Sequence, residues 1–380
     1  MKIVLIGTAY PYRGGLALFN ERLMEQFRSE GEDVEIQTFT LQYPSFLFPG
    51  KTQYSESKAS HKFNIVRSVN SINPLSWIKV GKNVKREKPD IVLIKYWLPF
   101  MAPCFGFISR IIKSNKHTKI IAIADNIIPH EKRFFDNWLT KYFVKCVDCW
   151  IAMSKSVLDD INIFDKTVPK KLMSHPLFDN FGQAIEKAEA QKRLNLDSQK
   201  INLLFFGLVR EYKGLDLLLE ALSDERLKQM PLHLTVAGEF YDNYKKYEDL
   251  VEQFGLKERV SMQNKFVEDN EVVNYFCSTD LVVLPYKSAT QSGVTQIAFH
   301  FSKPMLVTCV GGLPEIVADG KSGYVCLPEA KSIADCLIDF CTNRKDFSES
   351  LEEEKQRFAW DKMTAAIRLL YNESKIHNSK

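Results

Sequence analysis

The chain has 380 residues, too many for one ordinary core, which predicts two domains. Its composition, 45% hydrophobic and 26% charged, is that of a soluble globular protein and excludes a fibrous or disordered one. The net charge of +4 is uneven, because residues 1–180 carry 26 Lys/Arg against 17 Asp/Glu while residues 181–380 carry 25 against 30.

MKIVLIG at the start reads as a first strand and not as a signal peptide, since it lacks a cationic start, an apolar stretch and a cleavage site; a cytoplasmic location is expected. Phe19, Leu23 and Phe27 then recur at four-residue intervals, the buried stripe of a helix. Short branched runs follow at DVEIQTF (33–39), DIVLIKY (90–96), KIIAIAD (119–125) and CWIAMS (149–154). The run WLPFMAPCFGFIS (97–109) is broken by Pro99 and Pro103 and is too short to span a bilayer. The eight cysteines read as reduced, mostly buried thiols, and the Cys146–Cys149 spacing has no second pair to complete a zinc site.

From about 176 to 200 the chain turns polar and charged, and then the alternation restarts. NLLFFG (202–207), HLTVAG (233–238), RVSMQN (259–264), DLVVLPY (280–286), MLVTCV (305–310) and GYVCLP (323–328) read as six more strands. Strands alternating with amphipathic stretches mean α/β architecture, here two doubly wound parallel sheets. The expected division is 1–178, 185–358 and a closing helix in 359–380, with Met363, Ile367 and Leu370 on one face.

Ligands of doubly wound sheets bind at the carboxyl ends of strands, where three glycine-bearing or cationic loops fall: 7–15, 207–214 and 310–315. In FFGLVREYKGLDLLLEAL (205–222) a strand hands over to a helix through a turn that carries Arg210 and Lys213. A helix start presents unpaired N–H groups, and two added cations make it an anion site, phosphate being the usual anion. In the first half, GTAYPYRGG (7–15) lets backbone approach a ligand at Gly14 and Gly15, yet it is not the GxGxxG of a dinucleotide enzyme.

Together with VAGEF (236–240), NKFVEDNEVVNYFCSTDLVVLPY (264–286) and KPMLVTCVGGLPEIVADGKSGYV (303–325), this segment resembles the family 4 (group 1) retaining glycosyltransferases. The resemblance implies a GT-B fold: two Rossmann-like domains facing a cleft, acceptor on the first, nucleotide-sugar donor on the second, and a final helix crossing back. It implies that Arg210 and Lys213 grip the donor diphosphate, with Gly207 beside them. Phe266 and Val267 match the nucleobase site, and Gly14 and Gly15 the loop reaching the donor from the first domain. No metal and no cofactor beyond the nucleotide-sugar substrate are implied, and no nucleic acid partner.

Two departures stand out. Where the family carries two glutamates before its Lys-Pro pair, this chain has Ala289 and Ile297. Gln291 or Gln296 could hydrogen-bond hydroxyls there, and the backbone of Gly293 and Val294 could serve the sugar or phosphate. In DNIIPHE (125–131) Asp125 replaces the family's histidine, and His130 follows; either is a candidate for the reacting centre, with a structural histidine as the alternative for His130. Two other readings remain open: a non-hydrolysing nucleotide-sugar epimerase and a non-catalytic nucleotide-sugar-binding subunit. Lastly, Lys79, Lys82, Lys85, Arg86 and Lys88 crowd one segment. In a family whose acceptors are often lipid-linked sugars, this suits peripheral attachment to an anionic membrane surface, with a merely solvated helix face as the alternative.

Overall fold

The computed structural model describes residues 1–44, 53–54, 63–128, 134–289 and 292–377. The chain divides into two compact units, Met1–His175 with Trp360–Lys380, and Pro176–Ala359.

The first unit is built on seven parallel strands: β1 (Lys2–Ile6), β2 (Asp33–Leu41), β3 (Asn64–Asn70), β4 (Ile91–Tyr96), β5 (Lys119–Ala124), β6 (Cys149–Ala152) and β7 (Lys170–Leu172). Their order across the sheet is β3-β2-β1-β4-β5-β6-β7. β4 is buried at every residue, as expected of a strand covered on both faces. The connecting helices are α1 (Gly15–Ser29), α2 (Pro74–Glu87), α3 (Ala102–Lys113), α4 (Asp136–Val144) and α5 (Lys155–Phe164). Phe19, Leu23 and Phe27 form the buried stripe of α1. Asn73 caps α2 by accepting from Leu75 N–H, with Pro74 pre-set at the first helical position.

The second unit opens with α6 (Lys187–Arg193) inside the polar stretch 176–200. It then alternates β8 (Ile201–Phe206), α7 (Leu215–Leu222), β9 (Leu232–Ala237), α8 (Tyr244–Gln253), β10 (Val260–Gln263), α9 (Val272–Ser278), β11 (Leu281–Leu284), α10 (Gly293–His300), β12 (Met305–Thr308), α11 (Leu313–Ile316), β13 (Gly323–Cys326), α12 (Ala330–Asn343) and α13 (Ser348–Lys355). The six strands are parallel in the order β10-β9-β8-β11-β12-β13. Residues Trp360–His377 form α14, which belongs to the first unit. It buries Met363, Ile367 and Leu370, pairs Arg368 with Glu30 at 2.6 Å and Glu32 at 3.0 Å, and donates the Tyr371 hydroxyl to Asp90.

Sequence patterning did not anticipate β3 or β7. β3 is a half-exposed edge strand of mixed polarity and β7 has three residues, so neither shows an apolar run. Each of the eight cysteines is free; five are buried, Cys336 and Cys341 half-buried, and Cys309 exposed. Among the described residues, no helix is long and apolar enough to cross a membrane.

The strand orders place two reversal points. In the first sheet the chain runs outward from β1 to β3 and resumes on the other side at β4; in the second it runs from β8 to β10 and resumes at β11. The loops leaving β1 and β4, and those leaving β8 and β11, therefore flank the crevices where such sheets receive ligands.

Candidate functional site

The loop after β8 carries two cations three residues apart, Arg210 and Lys213. Gly207 (φ 95°) ends the strand and Gly214 (φ 69°) starts α7, both in backbone conformations that favour glycine. Between them Lys213 is buried, and its ammonium lies 3.4 Å from where a Gly207 β-carbon would stand. The same ammonium sits over the Tyr286 ring, 5.5 Å from its centroid. Burial, and next the neighbouring Arg210, push the Lys213 pKa down to about 8. Arg210 is exposed, with its guanidinium 5.0 Å from the centroid of the Tyr241 ring. Among the described residues neither cation has a carboxylate partner, although acidic side chains are plentiful in this unit.

Neighbouring loops fix this turn. Val209 N–H donates to Glu239 O and Tyr241 N–H to Val209 O, which knits the exits of β8 and β9 together. A β-carbon on Gly238 would fall 2.0 Å from Gly207 O, so those loops meet backbone to backbone. From the β11 exit, Lys287 N–H donates to Tyr212 O at 2.7 Å and its ammonium pairs with Asp216. Buried Tyr286 hydrogen-bonds Ser292, the residue before α10, at 3.0 Å.

The other donor-side candidates divide. Val294 is buried with a methyl 3.7 Å from the Gly207 β-carbon position, so the start of α10 adjoins the cationic turn. Gly293 opens α10 and leaves room for Phe178, whose ring would lie 2.8 Å from a β-carbon there. Phe266 is half-buried and Val267 buried, just beyond β10. Gln296 is fully buried with both amide atoms unpartnered among the described residues, so it is a costly polar group and not a surface one. Ile297, where the family has a glutamate, is buried. Gln291 lies outside the described residues, and so does His130.

In the first unit, Gly14 (φ 95°) precedes α1 with open space, among the described residues, where a β-carbon would stand, and Gly15 is the first residue of the helix. The residue at the helix start, Gly14, has no side chain with which to cap it. Asp125 follows β5 and forms an ion pair, Oδ1 to Lys95 Nζ at 2.8 Å. Lys95 lies within β4, 1% exposed, with its ammonium 3.4 Å from the Phe19 ring centroid. Burial lowers the Lys95 pKa and Asp125 opposes that shift. Reading the sequence missed Lys95; the signal was a lysine inside DIVLIKY, otherwise the apolar run of a fully covered strand.

Two parallel doubly wound units, with a cationic strand-to-helix turn at the reversal point of the second, define a two-domain α/β protein of the GT-B class. HepE of Anabaena, solved with UDP, matches at a TM-score of 0.74 and 15% identity over 98% of this chain and 100% of that one. Sucrose-phosphate synthase of Thermosynechococcus elongatus matches at 0.73 and 15% identity, covering 98% and 99%. An uncharacterized glycosyltransferase of Methanocaldococcus jannaschii is 24% identical over 98% of both chains. Residues 186–358 match the model of the glycosyl transferases group 1. That match spans the second unit and, with a relative named as a glycosyltransferase along its whole length, marks the chain as a transferase enzyme of the glycosyltransferase kind.

Proposed function

We propose that the chain is a retaining, metal-independent glycosyltransferase. It moves a sugar from a nucleotide-sugar donor to a glycan or lipid-linked sugar acceptor in bacterial surface polysaccharide or glycoconjugate synthesis. The observation that carries this reading is the pair Arg210 and Lys213, two cations without carboxylate partners among the described residues, one of them buried, at the start of α7. A buried ammonium is unfavourable until an anion neutralises it, and a diphosphate supplies that charge in a geometry two cations can share. In the reaction the anomeric carbon–oxygen bond to the diphosphate breaks, and Arg210 and Lys213 stabilise the charge that develops on the leaving group. That is the task a divalent cation would otherwise perform. The acceptor hydroxyl forms its bond on the face the nucleotide leaves, and its proton goes to the departing phosphate.

On the second unit, Gly207, Gly293 and Val294 offer close backbone approach beside the phosphates, while Phe266 and Val267 flank the nucleobase. On the first unit, Gly14, Gly15 and Asp125 serve the sugars, with His130 a further candidate. HepE is known in complex with UDP and with UDP-glucose, which makes uridine donors the first to test. Exposed Lys79, Lys82, Arg86 and Lys88 on and after α2 support a place at the inner face of the cell membrane, near lipid-linked acceptors.

The test is a thermal-shift panel of UDP-, GDP-, ADP- and CMP-sugars, followed by NMR of the product formed from the donor that binds. One nucleotide class should raise the melting temperature, and the product should keep the donor's anomeric configuration. An inverted product would end the retaining reading, and a stabilising donor turned over without transfer to any acceptor would favour an epimerase or hydrolase.

A further inference from the structure

We propose that Lys95 is a positioning residue for transfer. Its ammonium fixes the Asp125 carboxylate at the C-terminal end of β5, where that carboxylate accepts a hydrogen bond from a hydroxyl of the reacting sugars. This inference rests on the transferase reading given above.

The argument begins with where the pair lies. β4 and β1 are neighbours at the reversal point of the first sheet, and Lys95 is the next-to-last residue of β4. Its partner follows the last residue of β5, the strand on the other side of β4. Asp125 N–H donates to Tyr96 O at 2.9 Å, which extends the β4–β5 ladder to the aspartate itself. Tyr96 is in turn immobilised, stacked on Phe143 at 4.9 Å and hydrogen-bonded to Thr140 at 3.1 Å. The aspartate backbone is thus fixed by the sheet and its side chain by Lys95.

The asymmetry of exposure gives the pair its direction. Lys95 is 1% exposed, whereas the Asp125 side chain is 26% exposed. The cation cannot meet a ligand directly, but the carboxylate can. The face of Phe19 holds the ammonium from the α1 side, at the helix that follows Gly14 and Gly15. Beyond its ion pair with Asp125 and its place over this ring, the ammonium has no hydrogen-bond partner among the described residues.

A strand position of this kind gains little stability from a charge. Buried ion pairs are commonly no better than well-packed apolar residues of similar volume, and the neighbouring positions of β4 are filled by Ile91, Val92, Leu93 and Ile94. A buried cation that serves one partly exposed carboxylate at a ligand-binding strand end is the arrangement expected of a site, because carboxylates accept from sugar hydroxyls and must be aimed to do so.

The experiment compares the full chain with K95M, K95R, D125N and the K95M/D125N double variant. Nucleotide release is measured from the panel of UDP-, GDP-, ADP- and CMP-sugars, together with melting temperature and nucleotide-induced thermal shift. K95M and D125N should each slow release at least tenfold through kcat, with the nucleotide-induced shift preserved. K95R should recover part of the loss, and the double variant should be no slower than the worse single one. The inference is overturned if K95M keeps parental turnover, or if the double variant regains it, since a charge-free pair that works is a structural pair. Should K95M fail to fold, K95R and the double variant still decide between these outcomes. A parent chain that neither binds a nucleotide nor releases one removes the transferase reading and this inference with it. Normal nucleotide binding with indifferent Lys95 variants removes the inference alone.

Discussion

A β-carbon on Gly214 would lie 2.0 Å from the carbonyl oxygen of Pro285, so the start of α7 and the exit of β11 touch backbone to backbone. Gly214 also sits at φ 69°, where a side chain adds strain. The contact holds the Lys213 turn against the β8–β11 reversal point. Gly214→Ala should therefore cost at least about 1–2 kcal/mol from the left-handed conformation alone, and more from the clash. Its melting temperature should fall by several degrees and its nucleotide-induced shift should shrink. A variant with the parental melting curve would mean that the turn tolerates a rearrangement the geometry does not suggest.

Lys213 should trade stability for binding. Its pKa falls from the ordinary lysine value of 10.5 to about 8, chiefly through burial. The unfolded chain then binds the extra proton between pH 8 and 10.5, so stability rises with pH through that window and the penalty is fully present below pH 8. The penalty is as much as about 3 kcal/mol. Lys213→Met should accordingly raise the melting temperature of the free chain at pH 7, and the gain should fade towards pH 10. The same variant should lose most nucleotide binding. For the parent, nucleotide affinity should weaken as pH climbs past 8, where the ammonium discharges. Calorimetric melting at pH 7 and pH 10 with titrations of UDP checks both halves; a destabilised K213M at pH 7 would show that the ammonium contributes to the fold.

Arg210 is exposed, so its removal should leave melting nearly unchanged while removing a charge-assisted contact of roughly 1.5–3 kcal/mol from nucleotide binding. Titration calorimetry of Arg210→Ala with the nucleotide that stabilises the parent measures this directly. Parental affinity in that variant would leave Lys213 alone on the phosphates.

Much of this was legible beforehand, for a physical reason. A parallel strand covered on both faces must be apolar throughout, so KIVLIG, DIVLIKY and NLLFFG announce themselves as continuous runs. Edge strands do not: β3 carries Asn64, Arg67, Ser68 and Asn70, and β7 reads only Lys-Lys-Leu. Arg210 and Lys213 were legible because a strand, a turn and a helix leave the cations only one neighbourhood. Lys95 was not, because its meaning depends on Asp125, which lies 30 positions away and meets it only across the β4–β5 ladder. Gln296 shows the reverse limit. Its residue type suggested a hydroxyl reader, whereas the packing of α10 turns its amide wholly inward.

If the two cations of the α7 turn do the work of a metal, chelation should not matter. Excess EDTA should leave the transfer rate unchanged. A collapse restored by added Mn²⁺ would place the chain among metal-dependent transferases and reassign Arg210 and Lys213 to an auxiliary role.

The last prediction concerns the basic surface of the first unit. On α2, Val80, Gly81 and Val84 are buried while Lys79, Lys82 and Arg86 are exposed, with Lys88 exposed just beyond the helix and Lys85 half-buried. α4 has its own exposed aromatic start, with Phe134 and Phe135 leading into the helix and Trp138 one turn on, accompanied by exposed Lys141 and Lys145. Aromatic rings with an apolar body suit the headgroup region of a bilayer, and cations suit its anionic lipids. Each Lys or Arg near such a surface contributes about 1 kcal/mol, so the α2 group alone is enough for reversible attachment. The chain should therefore co-sediment with vesicles containing anionic lipid and not with neutral ones. Moderate salt should weaken the binding, because the interaction is screened over about 8 Å at physiological ionic strength. Lys82, Lys85 and Arg86 changed together to Glu should abolish it, and Trp138→Ser should reduce it while leaving its salt dependence intact. Sedimentation that ignores lipid charge would remove the membrane surface and leave a soluble glycan as the acceptor to seek.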